Sequence, residues 1–517
     1  MEKEQVAQSD VQGRRQALKI GAGVAAAAVL SGKSASAANI NPAAPVVTQN
    51  GWKNDANRAS GNGPMDETSR QIVKFVHSFS DAQVTPKLME DVGTLMVDSL
   101  AALISGFESE PARICARLAK TTRSDQKSTV LGYGVTTTPV MASFANGCML
   151  RHTDFNDIGP VPEAAAHISD IISGPLAVAE AMHATGRQLV AALAVGYEVT
   201  GALSLAGATG YTGWDGLWEG PGAAMAVGKL LGLNEDQLAN ALSLSLVPHV
   251  PLLVTHVGPL SHWKGCHSSE AIRSAVWATY LAKEGMTGPC QPFEARNGVW
   301  DHEGAFRRPL QIPEPLQDGK MVIQRMGYKR TPSEGSSQAL LEIVPDLRSF
   351  TKADDIASMH IEMPFGGWQE IGDPPKWDPQ NRETADHSLA YIMARAMIDG
   401  EIYLGSFTRD KYMDPSARAL MAKITISPNP DMKYMGQNRI TIKKKSGEQL
   451  VKETNVHVVT QMTAAEVAAK FSRVCSFMKV ADSQRDGALK TWTNLGSMKN
   501  VADAMAQLAH FGQPAAL

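Results

Sequence analysis

Between residues 67 and 310 the apolar side chains recur every three or four positions, in helix-length runs broken by Gly and Pro. That spacing puts them on one side of a 3.6-residue turn, so it predicts helices. Thr85-Pro86 opens one run, which passes Met89, Val92, Met96 and Leu100 to Leu103. Its Pro sits in the first turn, where the missing N–H has no partner to lose. Pro139 opens a second run to His152, and Gly174-Pro175 starts a third. Residues 187–205 form a long Ala/Leu/Val stretch ending near Gly207. Residues 223–231, 235–246 and 268–283 continue the series, the last stopping near Gly285, which suits the C′ position. Faces this broad are buried by packing on one another, so residues 67–320 are expected to form a helical domain.

The pattern changes near residue 320. Met359, Ile361 and Met363 alternate with their neighbours, and residues 422–427, 439–443 and 456–459 also read as strands. Helices are expected among them at 336–344 and 385–398, which makes 321–462 a smaller α+β domain. Thr463-x-x-Glu466 is a capping-box pattern opening a helix to about Met478. The last helices, within 463–517, are expected to return to the helical domain. No repeat and no heptad pattern is present.

Composition narrows the function classes. The 517 residues are 44% hydrophobic and 20% charged, which is globular and not disordered. Forty-nine Lys and Arg against 52 Asp and Glu give −3, without the basic excess of a nucleic-acid binder. The five Cys (Cys115, Cys148, Cys266, Cys290, Cys475) are odd in number and form no C-x-x-C. That argues against a disulfide framework, a zinc ribbon or an ordinary iron–sulfur ligand set.

The N-terminus reads as an address. Gly13-Arg14-Arg15-Gln16-Ala17-Leu18-Lys19 precedes a mild apolar run at 20–30 and a small-residue site, Ala35-Ser36-Ala37. Paired arginines in this setting are a twin-arginine export signature, so 1–37 is expected to be a signal and the chain periplasmic or secreted. The run is too short to span a bilayer, which takes about 20 residues. No later segment is expected to be long and apolar enough either. Removing 1–37 takes away five basic and three acidic residues, so the balance becomes −5. Residues 38–66 read as a linker.

Four clusters hold residues able to do chemistry. In the first, residues 145–157, a helix ends in Arg151, His152, Asp154 and Asp157, with His167 soon after. Asp154 and Asp157 read either as helix-terminal and turn residues or as catalysts, and His167 as a loop residue or a proton-transfer group. A carboxylate at a helix C-terminus opposes the dipole and so needs another reason to be there. The second runs from Ser261 through His262, Trp263, Lys264 and Gly265 to His267. Lys264 before Gly at a helix start suits an anion, or is a solvated lysine. His262 and His267 are five apart without a firm third ligand, so no metal is expected. The third is Tyr328-Lys329-Arg330, two adjacent cations at the domain boundary, suited to a carboxylate in a cleft or else a solvated basic loop. The fourth is Arg382 to Tyr391, which reads as a helix start capped by Thr384 or Asp386 with His387 bracing the loop. G-x-S-x-G, P-loop and H-E-x-x-H motifs are all absent, and a helix precedes the glycines at 201–210, unlike a dinucleotide fingerprint.

Taken in order, seven segments resemble the MmgE/PrpD family, which includes 2-methylcitrate dehydratase and cis-aconitate decarboxylase. They are residues 98–106, Ala145-Asn146-Gly147 with Asp154-Phe155-Asn156-Asp157, Gly196-Tyr197-Glu198-Val199, residues 228–233, Trp263-Lys264-Gly265, Tyr328-Lys329 and Ala385-Asp386-His387-Ser388-Leu389. The resemblance covers about residues 67 to 480. It implies a mainly α fold, a large all-helical domain with a smaller α+β lid domain inserted, and an active site between them. It also implies a homodimer and no cofactor. By motif position, Asp154, His167, Lys264 and Lys329 match the family's active-site Asp, His and two Lys. His262, Arg330, Asp215 and His387 are expected to contact substrate.

Those residue types suit dehydration of a hydroxy acid. A carboxylate or imidazole takes the proton beside a carboxylate, and lysines stabilise the enolate-like charge that develops. The chain also departs from the family pattern. Ile158 stands where the family often has Thr, and Ile168 where Pro often follows the His. Asp215, after Trp214, replaces a His, and Glu334 corresponds loosely to another. Two fewer imidazoles and two more carboxylates point to a less charged substrate or an altered proton-transfer set. The leading expectation is a hydroxy-acid dehydratase. The alternatives are a decarboxylase or epimerase of a small carboxylic acid, or a non-catalytic periplasmic binder of organic acids.

Overall fold

The computed structural model describes residues 64–159, 166–207, 216–249, 251–313, 319–455 and 462–511. The expected signal, nearly all of the expected linker, Asp215 and the strand expected at 456–459 lie outside these residues. The described residues belong to one compact unit.

The helical part runs α1 Glu67–Ser78, α2 Pro86–Gly106, α3 Glu110–Ala119, a short hairpin of β1 Ser128–Val130 and β2 Val135–Thr137, then α4 Pro139–His152. It continues with α5 Ser173–Ala181, α6 Gly186–Ala206, α7 Glu219–Leu230, α8 Glu235–Leu246 and α9 His267–Lys283. Side-chain caps explain several starts. Thr85 and Thr138 each accept a backbone N–H ahead of a Pro at the first helical position, and Thr185 with Gln188 forms a capping box at α6. Helix α6 corrects one expectation. At 21 residues it is long and apolar enough to cross a membrane, but 17 of those residues are buried within the helical bundle. Small residues let α7 approach it. A Cβ on Gly196 would stand 2.9 Å from the Ala226 Cβ and 3.1 Å from the Gly222 carbonyl.

The second part begins with the short α10 Gln338–Glu342, inside the helix expected at 336–344, and a further helix, α11 Val344–Phe350, follows it. Strand β3 Ile356–Met363 follows, then α12 Phe365–Ile371, α13 Arg382–Ala385, α14 Leu389–Asp399, α15 Arg409–Tyr412 and α16 Pro415–Met421. Strands β4 Ile424–Pro428, β5 Gln437–Lys444 and β6 Gln449–Asn455 complete a mixed sheet in the order β4-β3-β5-β6. Ile361 pairs with Ile426 in parallel on one side and with Ile440 antiparallel on the other. The alternating Met359, Ile361 and Met363 are fully buried, as a half-buried strand requires. The helix expected over 385–398 is interrupted at Asp386, His387 and Ser388. Asn381 caps α13 and Ser388 caps α14, in place of Thr384 or Asp386.

Helices α17 Ala464–Phe477, α18 Asp482–Thr493 and α19 Val501–Gln507 end the described chain. Phe471, Val474, Trp492 and Met505 join the same apolar core as α2, α4 and α6, whereas Leu340 to Ile442 form a separate core around the sheet. The fold is therefore mainly helical, with a small α+β part whose chain leaves and re-enters the helical core.

Candidate active site

The site starts where α4 ends. Thr153 closes the helix, and Asp154 then takes a left-handed backbone, φ 53°. An Asp tolerates that conformation better than most side chains. The chain continues extended through Ile158 and Gly159, and this short segment is bridged on both sides. Ile158 exchanges backbone bonds with Gly327 at 3.0 and 2.8 Å, and Gly159 with Ala166 at 3.1 and 2.8 Å. The bridges carry Lys329 in from one side and His167 from the other.

The three side chains meet in the interior. Lys329 Nζ stands 3.0 Å from Asp154 Oδ2 and donates to the Asp154 carbonyl at 3.1 Å. Arg151, one helical turn before Asp154, makes a short contact with the other carboxylate oxygen. Its Nε also lies 3.4 Å from Asp170. Burial opposes the charge on Asp154, but Arg151 and Lys329 outweigh it and hold the carboxyl well below its ordinary range. The unfavourable helix-end carboxylate thus has its reason: it pairs with two buried cations. Burial draws Lys329 below the ordinary lysine range despite Asp154.

His167 is a neutral base in this arrangement. Its Nδ1 lies 2.5 Å from the Asp157 carbonyl, which only accepts, so Nδ1 carries the proton and Nε2 presents a lone pair. Nε2 is 3.5 Å from Lys329 Nζ and 3.6 Å from Asp154 Oδ1. Burial, with Lys329 and Arg151, keeps the imidazole well below its usual pKa. Asp157 turns away into a support role. It accepts from Ser169 N and Oγ at 3.0 and 2.7 Å and from Tyr197 Oη at 3.0 Å. Burial pushes its carboxyl up to about 7.

The second half is built on Lys264. It lies in a tight turn before α9 and is fully buried. Its Nζ grips both oxygens of Asp386, at 3.1 and 3.0 Å, and reaches the His152 carbonyl at 3.4 Å. Lys264 is thus buried and paired with a carboxylate of the chain, not solvated. Asp386 also accepts from His387 Nδ1 at 2.8 Å. Burial opposes the charge of Asp386, but Lys264 and His387 hold it at about 2. Burial and Lys264 press His387 down to about 3, so it is neutral. His387 stacks on His256, 5.5 Å between centroids. Gly265 packs against His152, where an added Cβ would come within 3.0 Å of the His152 Cα.

Glu334 joins the halves. Its backbone N–H donates to the Asp386 carbonyl at 3.2 Å, and its carboxylate accepts from Ser336 N at 2.7 Å. Burial lifts this carboxyl to about 7, against the pull of Lys329.

The structure thus brings together Asp154, His167, Lys264, Lys329 and His387. His262 lies at the rim, its side chain 54% exposed and 3.9 Å from Glu383. Arg330 does not enter. It sits on the surface with Glu466 at 3.0 Å. Lys329 is buried whereas Arg330 is exposed, so the two adjacent cations do not enter one cleft together. Asp215 lies outside the described residues. Sequence reasoning passed over Arg151 and Asp386 as site members. Arg151 was detectable as a cation one turn before a carboxylate, at i and i+3. Asp386 carried no such signal, because its partner Lys264 is remote in sequence. Among the described residues no group of three His, Cys, Asp or Glu is placed to hold a metal ion.

Comparison with known proteins agrees with this architecture. Residues 70–304 match the MmgE/PrpD N-terminal domain, and residues 332–493 match the MmgE/PrpD C-terminal domain. The chain is 26% identical to human cis-aconitate decarboxylase over 69% of its own length and 76% of that protein. It is 25% identical to the mitochondrial 2-methylcitrate dehydratase of Yarrowia lipolytica, over 74% and 78%. It is 25% identical to the 2-methylcitrate dehydratase of Salmonella typhimurium, over 70% and 78%.

Proposed function

We propose, for a chain that belongs to the MmgE/PrpD family, that it is a cofactor-independent lyase dehydrating a small hydroxy-carboxylic acid of the 2-methylcitrate type. The observation that carries this reading is the buried meeting of Asp154, Lys329 and the neutral His167. His167 Nε2 is the proton acceptor. Asp154 is a poor rival, since the cations around it drain its basicity. Lys329 and Lys264 stabilise the negative charge that builds on the substrate as the proton beside its carboxylate is removed. Glu334, with a carboxyl near 7, supplies the proton with which hydroxide leaves as water. The C–H and C–O bonds break, a C=C bond forms, and one proton moves to His167 while one leaves Glu334.

A second reading, decarboxylation, is favoured by the likeness to human cis-aconitate decarboxylase, which spans a similar share of the chain. In it the C–C bond to one carboxylate breaks, carbon dioxide leaves, the lysines stabilise the electron pair left on the substrate, and a proton from Glu334 goes to the carbon that held the carboxylate.

The test is product analysis with 2-methylcitrate and with cis-aconitate. A new double bond without gas release supports dehydration, and carbon dioxide supports the second reading. Lys264→Ala and Lys329→Ala are each expected to lower turnover by at least a hundredfold. Wild-type turnover in both variants would show that the site is elsewhere.

A further inference from the structure

Three cations of the cluster already face carboxylates of their own chain: Lys264 on Asp386, Lys329 on Asp154, and Arg151 between Asp154 and Asp170. Arg382, at the start of α13, is different. Its guanidinium rests 5.2 Å from the centre of the Phe407 ring. Asp386 is 4.0 Å away, beyond hydrogen-bond distance. Its Nε and Nη2 are buried and have no hydrogen-bond acceptor among the described residues. These two nitrogens share one edge of the guanidinium, the edge that fits both oxygens of a carboxylate.

His152 is the second such group. It is the last residue of α4 and only 5% exposed, and its Nδ1 is buried without a partner among the described residues. Burial acts on its imidazole first, and among the charges Arg382 acts most, ahead of Lys264 and Asp386. The ring is therefore neutral. Geometry places the two side by side: Lys264 Nζ touches the His152 carbonyl at 3.4 Å and both oxygens of Asp386, the carboxylate 4.0 Å from Arg382. Buried polar groups are nearly always paired, and among the described residues these atoms are not, which suits a polar ligand.

We propose that Arg382 and His152 form a carboxylate-binding subsite. Arg382 receives one carboxylate of the substrate edge-on, and His152 bonds to that carboxylate or to a hydroxyl beside it. The inference rests on the reading that this cluster takes a small carboxylic acid, and it assigns the cation that anchors it. The lysines, held by Asp154 and Asp386, are left for the charge that develops during reaction. The subsite also spans the molecule, since α4 belongs to the helical core and α13 to the α+β part.

The test is calorimetric titration of the protein with tricarballylate, a tricarboxylate that has neither hydroxyl nor double bond to react. Arg382→Ala is expected to weaken binding at least tenfold. Arg382→Lys, which keeps the charge and loses the paired donors, is expected to recover only part of it. His152→Asn is expected to cost a few-fold. Arg439→Ala, a surface arginine paired with Glu453, is expected to bind as wild type does. The thermal midpoint without ligand checks that each variant is folded, and Arg382→Lys alone decides the matter if the alanine variant is not. Unchanged affinity in the Arg382 variants, or no binding of tricarballylate by the wild type, overturns the subsite. Arg382-dependent binding without turnover of any hydroxy acid sinks the lyase reading and leaves the subsite standing.

Discussion

At Asp154 a left-handed turn and a buried charge occur in the same residue. The turn ends α4 and swings the carboxylate off the helix C-terminus, where the dipole would oppose it, toward Arg151 and Lys329. Strained backbone of this kind persists where its surroundings over-determine it. Glu334 shows the opposite balance, with burial winning over a single lysine. Its carboxyl is raised from 4.5 to about 7, so the folded state holds a proton that the unfolded chain has released. That contribution to stability is complete below pH 4.5 and disappears as pH rises through 7. Glu334→Gln is therefore expected to gain stability relative to wild type across that window. Each tenfold change in proton affinity is worth about 1.4 kcal/mol, which sets the upper limit of the gain. Urea unfolding of both proteins at pH 4.5, 6 and 8 measures it, and a constant difference at all three pH values contradicts the assignment. The same variant should lose turnover at pH 6, where the wild-type carboxyl is mostly protonated.

At the scale of elements, helix α17 does more than fill the core. Lys470 on this helix donates to Asp98 of α2 and to the Phe155 carbonyl, each at 2.7 Å, and stands 4.0 Å from the centre of the Phe155 ring. It thereby fastens the residue that follows Asp154. Lys470→Met leaves Asp98 buried without a partner and is expected to cost about 3–5 kcal/mol. Lys470→Met with Asp98→Leu is expected to restore most of that, because the pair is replaced by apolar volume. Chemical denaturation of the wild type, both single variants and the double variant completes the cycle. Equal stability of Lys470→Met and the double variant argues against the pairing.

Helices of this kind were legible in the sequence because their signals are local. Pro139 to His152, and the Thr463–Glu466 box ahead of α17, are read from residues a turn apart. From residue spacing alone the site was legible only as separate candidates, and it was the family resemblance that grouped Asp154, His167, Lys264 and Lys329. Asp154, His167 and Lys329 meet through backbone bridges at Ile158 and Gly159, and no periodicity records those bridges. Arg330 looked equivalent to Lys329 because a sequence does not show which of two adjacent side chains is buried. Lys470 and Arg382 lay in segments that read plainly as helix starts and helix interiors, so nothing marked them.

At the scale of the whole molecule, the helical core and the core around the sheet are separate, and the candidate site draws residues from both. The proposed export also belongs to this scale. Substituting Arg14 and Arg15 together by Lys is expected to leave the precursor uncut and inside the cell, with N-terminal sequencing and fractionation as the measurement. Normal cleavage after Ala37 in that variant would point to a different export route.

The return of the chain to its first core also sets an order of manufacture. A ribosome delivers Asp154, His167, Lys264, Lys329 and Asp386 well before Lys470, which holds the loop behind Asp154 in place. A chain stopped short of α17 would own every residue proposed to act on substrate and lack the fastening that aims the first of them. On the proposed function, turnover is therefore expected only once α17 has been made and docked.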